Sequence, residues 1–112
     1  MQLLVLVLNK VECLNDILKE LSCQKLHGAT ILDSKGMAHS LDHFNELSFI
    51  LSLRKILDST HKESKTIFMV IKDDEIQTVS KIVNDVTGGL DQPDTGILFT
   101  VPVTHLEGFK LK

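Results

Sequence analysis

His39 and His43 stand four residues apart, a spacing that would set two imidazoles on one face of a helix for a metal ion. Ser40 and Asp42 between and beside them mark a loop instead, and no Cys or Glu completes a recognisable ligand set. The simpler expectation is solvated loop histidines, with no metal site. His27 falls where a helix should end and reads as a cation near the negative end of its dipole. His105 follows the last strand. Asp73-Asp74-Glu75 is an acidic run whose place at a helix start makes capping its expected role. Arg54 is the only arginine, inside an apolar stretch. There is no Gly-x-Ser-x-Gly elbow, no His-Glu-x-x-His zinc motif, no Walker-type phosphate loop and no Cys-His pair in a defined motif. The chain is therefore not expected to be an enzyme.

Composition narrows the classes further. At 112 residues with 43% apolar content, the chain should form a single domain spanning 1–112 with a real core. A net charge of −3 leaves no basic stripe to neutralise phosphates, and five Phe without Trp or Tyr make no stacking platform. Nucleic acid is excluded as the main partner. Cys13 and Cys23 lie on one expected helix, about 15 Å apart along its axis, too far for a disulfide. They read as two buried small hydrophobes in a reducing compartment. The leading LLVLVL is too short to span a membrane and lacks a basic flank. A cytoplasmic location without a transmembrane segment is expected.

The elements that must position any site come from periodicity. Residues 2–8 are leucine- and valine-rich and read as a buried strand. A helix over 11–24 follows, with Leu14, Ile17, Leu18 and Leu21 on one stripe, and Gly28 as its left-handed stop. Residues 29–35 form a second strand closed by Gly36. The unit then recurs: a strand over 65–72, a helix over 75–86 with Ile76, Val79, Val83 and Val86 on its stripe, a Thr87-Gly88-Gly89 stop, and a last strand. That last run, residues 94–103, is apolar on both faces at Ile97, Leu98, Phe99 and Val101. It reads as a central, doubly covered strand, with Pro102 ending it, bulging it or marking an edge. The order β-α-β, interval, β-α-β predicts an α+β, ferredoxin-like βαββαβ fold with an antiparallel sheet and two helices on one face.

The interval 37–64 is unlike the rest. Residues 46–57 carry Leu47, Phe49, Ile50, Leu51, Leu53, Ile56 and Leu57, apolar nearly all round a helical wheel. An extra helix is expected there, inserted between the two βαβ halves and buried on more than one side, against a sheet face of its own chain, a neighbouring subunit, or both.

These residues resemble the PII signal-transduction proteins. The resemblance is carried by Gly28-Ala29-Thr30 and the strand ending Lys35-Gly36-Met37, and by the close Thr95-Gly96-Ile97-Leu98-Phe99-Thr100-Val101-Pro102-Val103. It covers roughly residues 1–36 and 65–110. It implies a homotrimer whose sheets enclose the centre, an adenine nucleotide in each inter-subunit cleft, and a segment at 37–64 that engages a transporter or enzyme partner. On this reading the ligand-binding residues are Gly28, Ala29, Thr30, Lys35, Gly36, Met37, Ala38, Thr95, Gly96 and Lys110.

The sequence also departs from that family. Thr95 and Ile97 stand where its phosphate-cradling Asp and Lys would be, and its closing arginine pair falls on Gly108 and Lys110. An ammonium lacks the bidentate fork of a guanidinium, so ADP or AMP fits more easily than ATP. A chain without Tyr has no tyrosine to uridylylate. Two alternatives stay open: a trimeric scaffold with vestigial clefts, and a CutA-like metal-binding trimer using His39 and His43.

Overall fold

The structure is a computed structural model that describes residues 1–37 and 63–109. In chain order it contains β1 (Gln2–Leu8), a 3-10 turn (Val11–Cys13), α1 (Leu14–Cys23), β2 (Thr30–Ser34), β3 (Ser64–Ile71), a second 3-10 turn (Asp73–Glu75), α2 (Ile76–Thr87) and β4 (Gly96–Pro102). The strands form one four-stranded sheet in the order β2-β3-β1-β4. Each neighbouring pair is antiparallel. Strands β1 and β2 thus run the same way with β3 between them. So do β3 and β4, with β1 between them. The architecture is α+β.

Side-chain alternation divides β1 between two environments. Leu4, Leu6 and Leu8 point to the helical face and are at most 2% exposed. They close the core with Ile67, Met69 and Ile71 of β3, Ile17 and Leu21 of α1, and Val79 and Val83 of α2. Both expected helical stripes are therefore the buried faces, and Leu14, Leu18, Ile76 and Val86 pack at the margin. On the opposite sheet face the register aligns Leu32, Thr66, Val7 and Ile97 in one row. Thr30, Phe68, Val5 and Phe99 form the next row, and Val70, Leu3 and Val101 the third. None of these residues is charged. Val5 is buried because Phe68 and Phe99 flank it across the strands.

Several expectations change. Among the described residues the last strand is an edge, not the centre: β4 pairs with β1 alone, and Ile97, Phe99 and Val101 are 57%, 44% and 45% exposed. An apolar run on both faces looks the same whether its chain covers it or leaves it bare. The strand does end at Pro102, whose missing N–H suits an edge. Helix α1 stops at Cys23, five residues before the expected glycine, with Lys25 left-handed at φ 62°. The expected Asp73-Asp74 cap is made by Glu75, whose Oε1 accepts the Lys72 backbone N–H at 2.8 Å. Cys23 is exposed and Cys13 half-buried, both as free thiols. Cys23 lies two helical steps past Leu21, about 200° away from the core-facing stripe. The expected helix over 46–57 lies outside the described residues.

Two glycines are fixed by the backbone. Gly88 caps α2 in the left-handed region at φ 89° and has open space around it. At Gly96 an added Cβ would sit 2.5 Å from the Val7 carbonyl oxygen and 3.3 Å from the Leu8 Cα. Gly96→Ala must therefore part β4 from β1, and is expected to cost about 2 to 3 kcal/mol. Gly88→Ala pays mainly for its left-handed backbone, about 1 kcal/mol. Urea midpoints of the two variants check the ranking, and equal midpoints would refute the contact argument.

Candidate functional site

An open cleft of about 1020 Å³ lies where β1 turns into α1 and the chain enters β4. Its walls are residues 9–12, Thr87, Gly88 and residues 92–95. The turn is built on one carbonyl: Thr95 O accepts the Asn9 and Lys10 backbone N–H groups at 3.0 and 3.2 Å. Thr95 is 2% exposed, and its hydroxyl donates to the Pro93 carbonyl at 3.3 Å. Lys10 Nζ donates to the Thr87 carbonyl at 2.9 Å, placing an ammonium on the negative end of α2.

The glycine-bearing 88–92 turn borders this cleft at Gly88 and Gln92, upstream of the 94–97 run. Its amides point inward. Gly88 N–H goes to Asn84 O at 3.1 Å, and Gln92 N–H to Gly89 O at 3.2 Å. Gly89 N–H goes to Thr87 Oγ1 at 3.3 Å and Leu90 N–H to Asn84 Oδ1 at 2.8 Å. Committed donors do not cradle an anion. The cleft's one ammonium is occupied at the helix end, and Glu12 and Asp94 add negative charge. This cleft alone is poorly suited to a polyphosphate.

The residues expected to bind ligand are divided by the topology. Thr95 and Gly96 open the edge strand β4, while Gly28, Ala29, Thr30, Lys35, Gly36 and Met37 flank or belong to β2 at the other edge. Ala38 and Lys110 lie outside the described residues. The two edges are about 14 Å apart across the sheet, so one chain does not bring the set together. Lys35 pairs with Glu63 at 3.8 Å, both side chains exposed. Met37 is 76% exposed. His105 Nε2 lies 3.2 Å from Glu107 Oε1 in an exposed pair. His39 and His43 lie outside the described residues, among which no cluster of His, Cys, Asp and Glu could hold a metal.

Polar side chains gather where the chain leaves β2 and rejoins the sheet at β3. Ser34 and Ser64 are cross-strand partners with their hydroxyl oxygens 2.7 Å apart. Thr66 Oγ1 donates to Ser34 Oγ at 2.8 Å, and Lys65 pairs with Asp33. This hydroxyl cluster fixes where the 35–63 segment begins and ends. Sequence reasoning missed it, because its members are remote in the chain until the β2–β3 register pairs them.

A second cleft, about 390 Å³, lies at the opposite end of β3. Its basic members are Lys25, His27 and Lys72, and Phe109 forms part of its wall. Of the expected ligand-binding residues that are described, Gly28 alone lines it. Lys25 went unnoticed in the sequence because a lysine after a helix reads as a dipole-compensating surface charge.

Neither protein-family models nor curated protein sequences give a match to this chain. No helix among the described residues is long and apolar enough to cross a membrane.

The hydroxyl cluster predicts a measurable cost. Ser34→Ala removes the partner of the buried Ser64 hydroxyl and of Thr66. It is expected to destabilise the fold by about 1 to 2 kcal/mol, read from chemical denaturation. Ser22→Ala, on the exposed side of α1, serves as the control and is expected to stay within about 0.5 kcal/mol of the parent.

Proposed function

We propose that this protein is a PII-like regulatory protein with a ferredoxin-like fold, assembling as a homotrimer and controlling a partner through segment 37–64. The observation that carries the reading is the uncharged sheet face opposite the helices. Its rows run through Phe68, Val5 and Phe99, and its margins bare Leu32 at 48%, Ile97 at 57% and Val101 at 45% exposure. A contiguous apolar sheet face without a charged residue is an association surface. Packing such faces around a three-fold axis would cover them. It would also bring the β2 edge of one chain towards the β4 edge of the next, joining the residues that one chain keeps apart.

In that assembly the inter-subunit cleft would take an adenine nucleotide, with Lys35 and Lys110 the available cations. Ile97 and Gly108, at the resembled family's basic positions, favour ADP or AMP over ATP, and the Gly88, Gly89, Leu90 and Gln92 amides are already engaged within the chain. A bound nucleotide acts on segment 37–64 only if it binds one arrangement of that segment better than another.

The same amides support a second reading, a trimeric scaffold whose clefts hold nothing. Gly96 and Thr95 already have structural explanations in the Val7 contact and the buried turn. A Gly96→Arg change would part β4 from β1 and so does not separate the readings.

Sedimentation and calorimetry do. The parent is expected at three times the 12.5 kDa chain mass. A Phe99→Asp, Val101→Asp double variant is expected at the single-chain mass, because both side chains are already about half exposed in one chain. A monomeric parent would overturn the assembly. Titration with AMP, ADP and ATP should give heat with the first two at one site per chain. A trimer that gives none with any of them is the scaffold.

A further inference from the structure

Helix α1 ends in a motif that almost always takes glycine. The Leu26 N–H donates to Leu21 O at 2.9 Å and the Lys25 N–H to Ser22 O at 2.9 Å, the paired bonds of a Schellman cap. The residue between cap and return is Lys25, at φ 62°. A side chain there is disfavoured in the left-handed region, and a glycine would close the same helix without that cost. The sequence accepts strain in order to have a lysine at this point, and the lysine lines the second cleft.

The rest of the cleft fits one kind of occupant. Met69 and Ile71, 3% and 2% exposed, belong to its floor, and Phe109 stands beside it with its side chain 40% exposed. Lys72 and His27 add a second ammonium and an imidazole. The single carboxylate, Glu75, is engaged through Oε1 by the Lys72 backbone N–H. Neither Lys25 nor Lys72 belongs to an ion pair among the described residues. Positive charge is thus gathered over an apolar floor in a chain whose net charge is −3. A cavity of about 390 Å³ is the size of a small organic molecule.

We propose that this cleft binds a small organic anion, its apolar body on Met69, Ile71 and Phe109 and its charged head between Lys25 and Lys72. The site is built within one chain and does not depend on the trimer or on the inter-subunit cleft.

The test uses phenyl phosphate and phenylacetate as probes, with inorganic phosphate and benzyl alcohol as single-feature controls. The parent should bind at least one aromatic anion in calorimetric titration, more tightly than either control, with amide shifts in nuclear magnetic resonance spectra at Gly28 and Phe109. The phosphate and carboxylate arms identify the head group. Lys25→Gly should raise the melting temperature by relieving the left-handed lysine, yet weaken probe binding about tenfold, as loss of one charge-assisted contact requires. Lys72→Gln keeps the backbone amide that holds Glu75 and should weaken binding similarly. A merely structural Lys25 would give the gain in stability with no change in binding. That result, or failure of the parent to bind either aromatic anion, overturns the proposal.

Discussion

Strand β1 is the constraint on which the remaining structure depends. It is the one strand paired to both β3 and β4, and it is apolar on both faces. Leu4, Leu6 and Leu8 nucleate the core beneath the helices, while Leu3, Val5 and Val7 form the middle of the bare face. Its end also governs the adjoining turn. The Val7 carbonyl stands where a side chain at position 96 would be, and Thr95 O holds the amides of Asn9 and Lys10. β4 therefore starts opposite the end of β1, and the cleft beside that turn inherits the fixed geometry.

Much of the fold was legible because burial imposes period. Strand β1 spans the expected residues 2–8, and the stripes of α1 and α2 supply Ile17, Leu21, Val79 and Val83 to the core. What the pattern did not carry was strand order. Ile97, Phe99 and Val101 have the composition of covered residues, but composition does not say whether the cover lies in the same chain. Helix ends failed for a related reason. The stop fell on Lys25 rather than Gly28, and the cap on Glu75 rather than Asp73 or Asp74, because paired backbone bonds can outweigh a single residue's preference.

The candidate site was less legible, and its parts differ instructively. Glycines marked turns at Gly88 and Gly96, where the structure shows a helix cap and a close backbone approach. Thr95 does line a cleft, but as a buried member of its turn. The Ser34, Ser64 and Thr66 cluster and the Lys25, Lys72 and Phe109 cleft exist only after the sheet and helix ends are in register. No local pattern announces them. The Lys25 signal was present in principle, as a non-glycine where α1 must reverse, but reading it requires the helix end to one residue.

The geometry also limits how binding could be felt elsewhere. The second cleft adjoins Ile71 at one end of β3, and the 35–63 segment joins the sheet through Ser64 at the other. Eight residues of strand separate them, about 25 Å. Between those ends, Thr66, Phe68 and Val70 lie on the face opposite the helices, and Ile67 and Met69 lie in the core. A packed core resists continuous deformation, so a signal along β3 within one chain has little to move. The bare face has no such restriction until it is covered. If the cleft and the assembly are as proposed, coupling between cleft and segment would run through how that face meets a neighbouring chain.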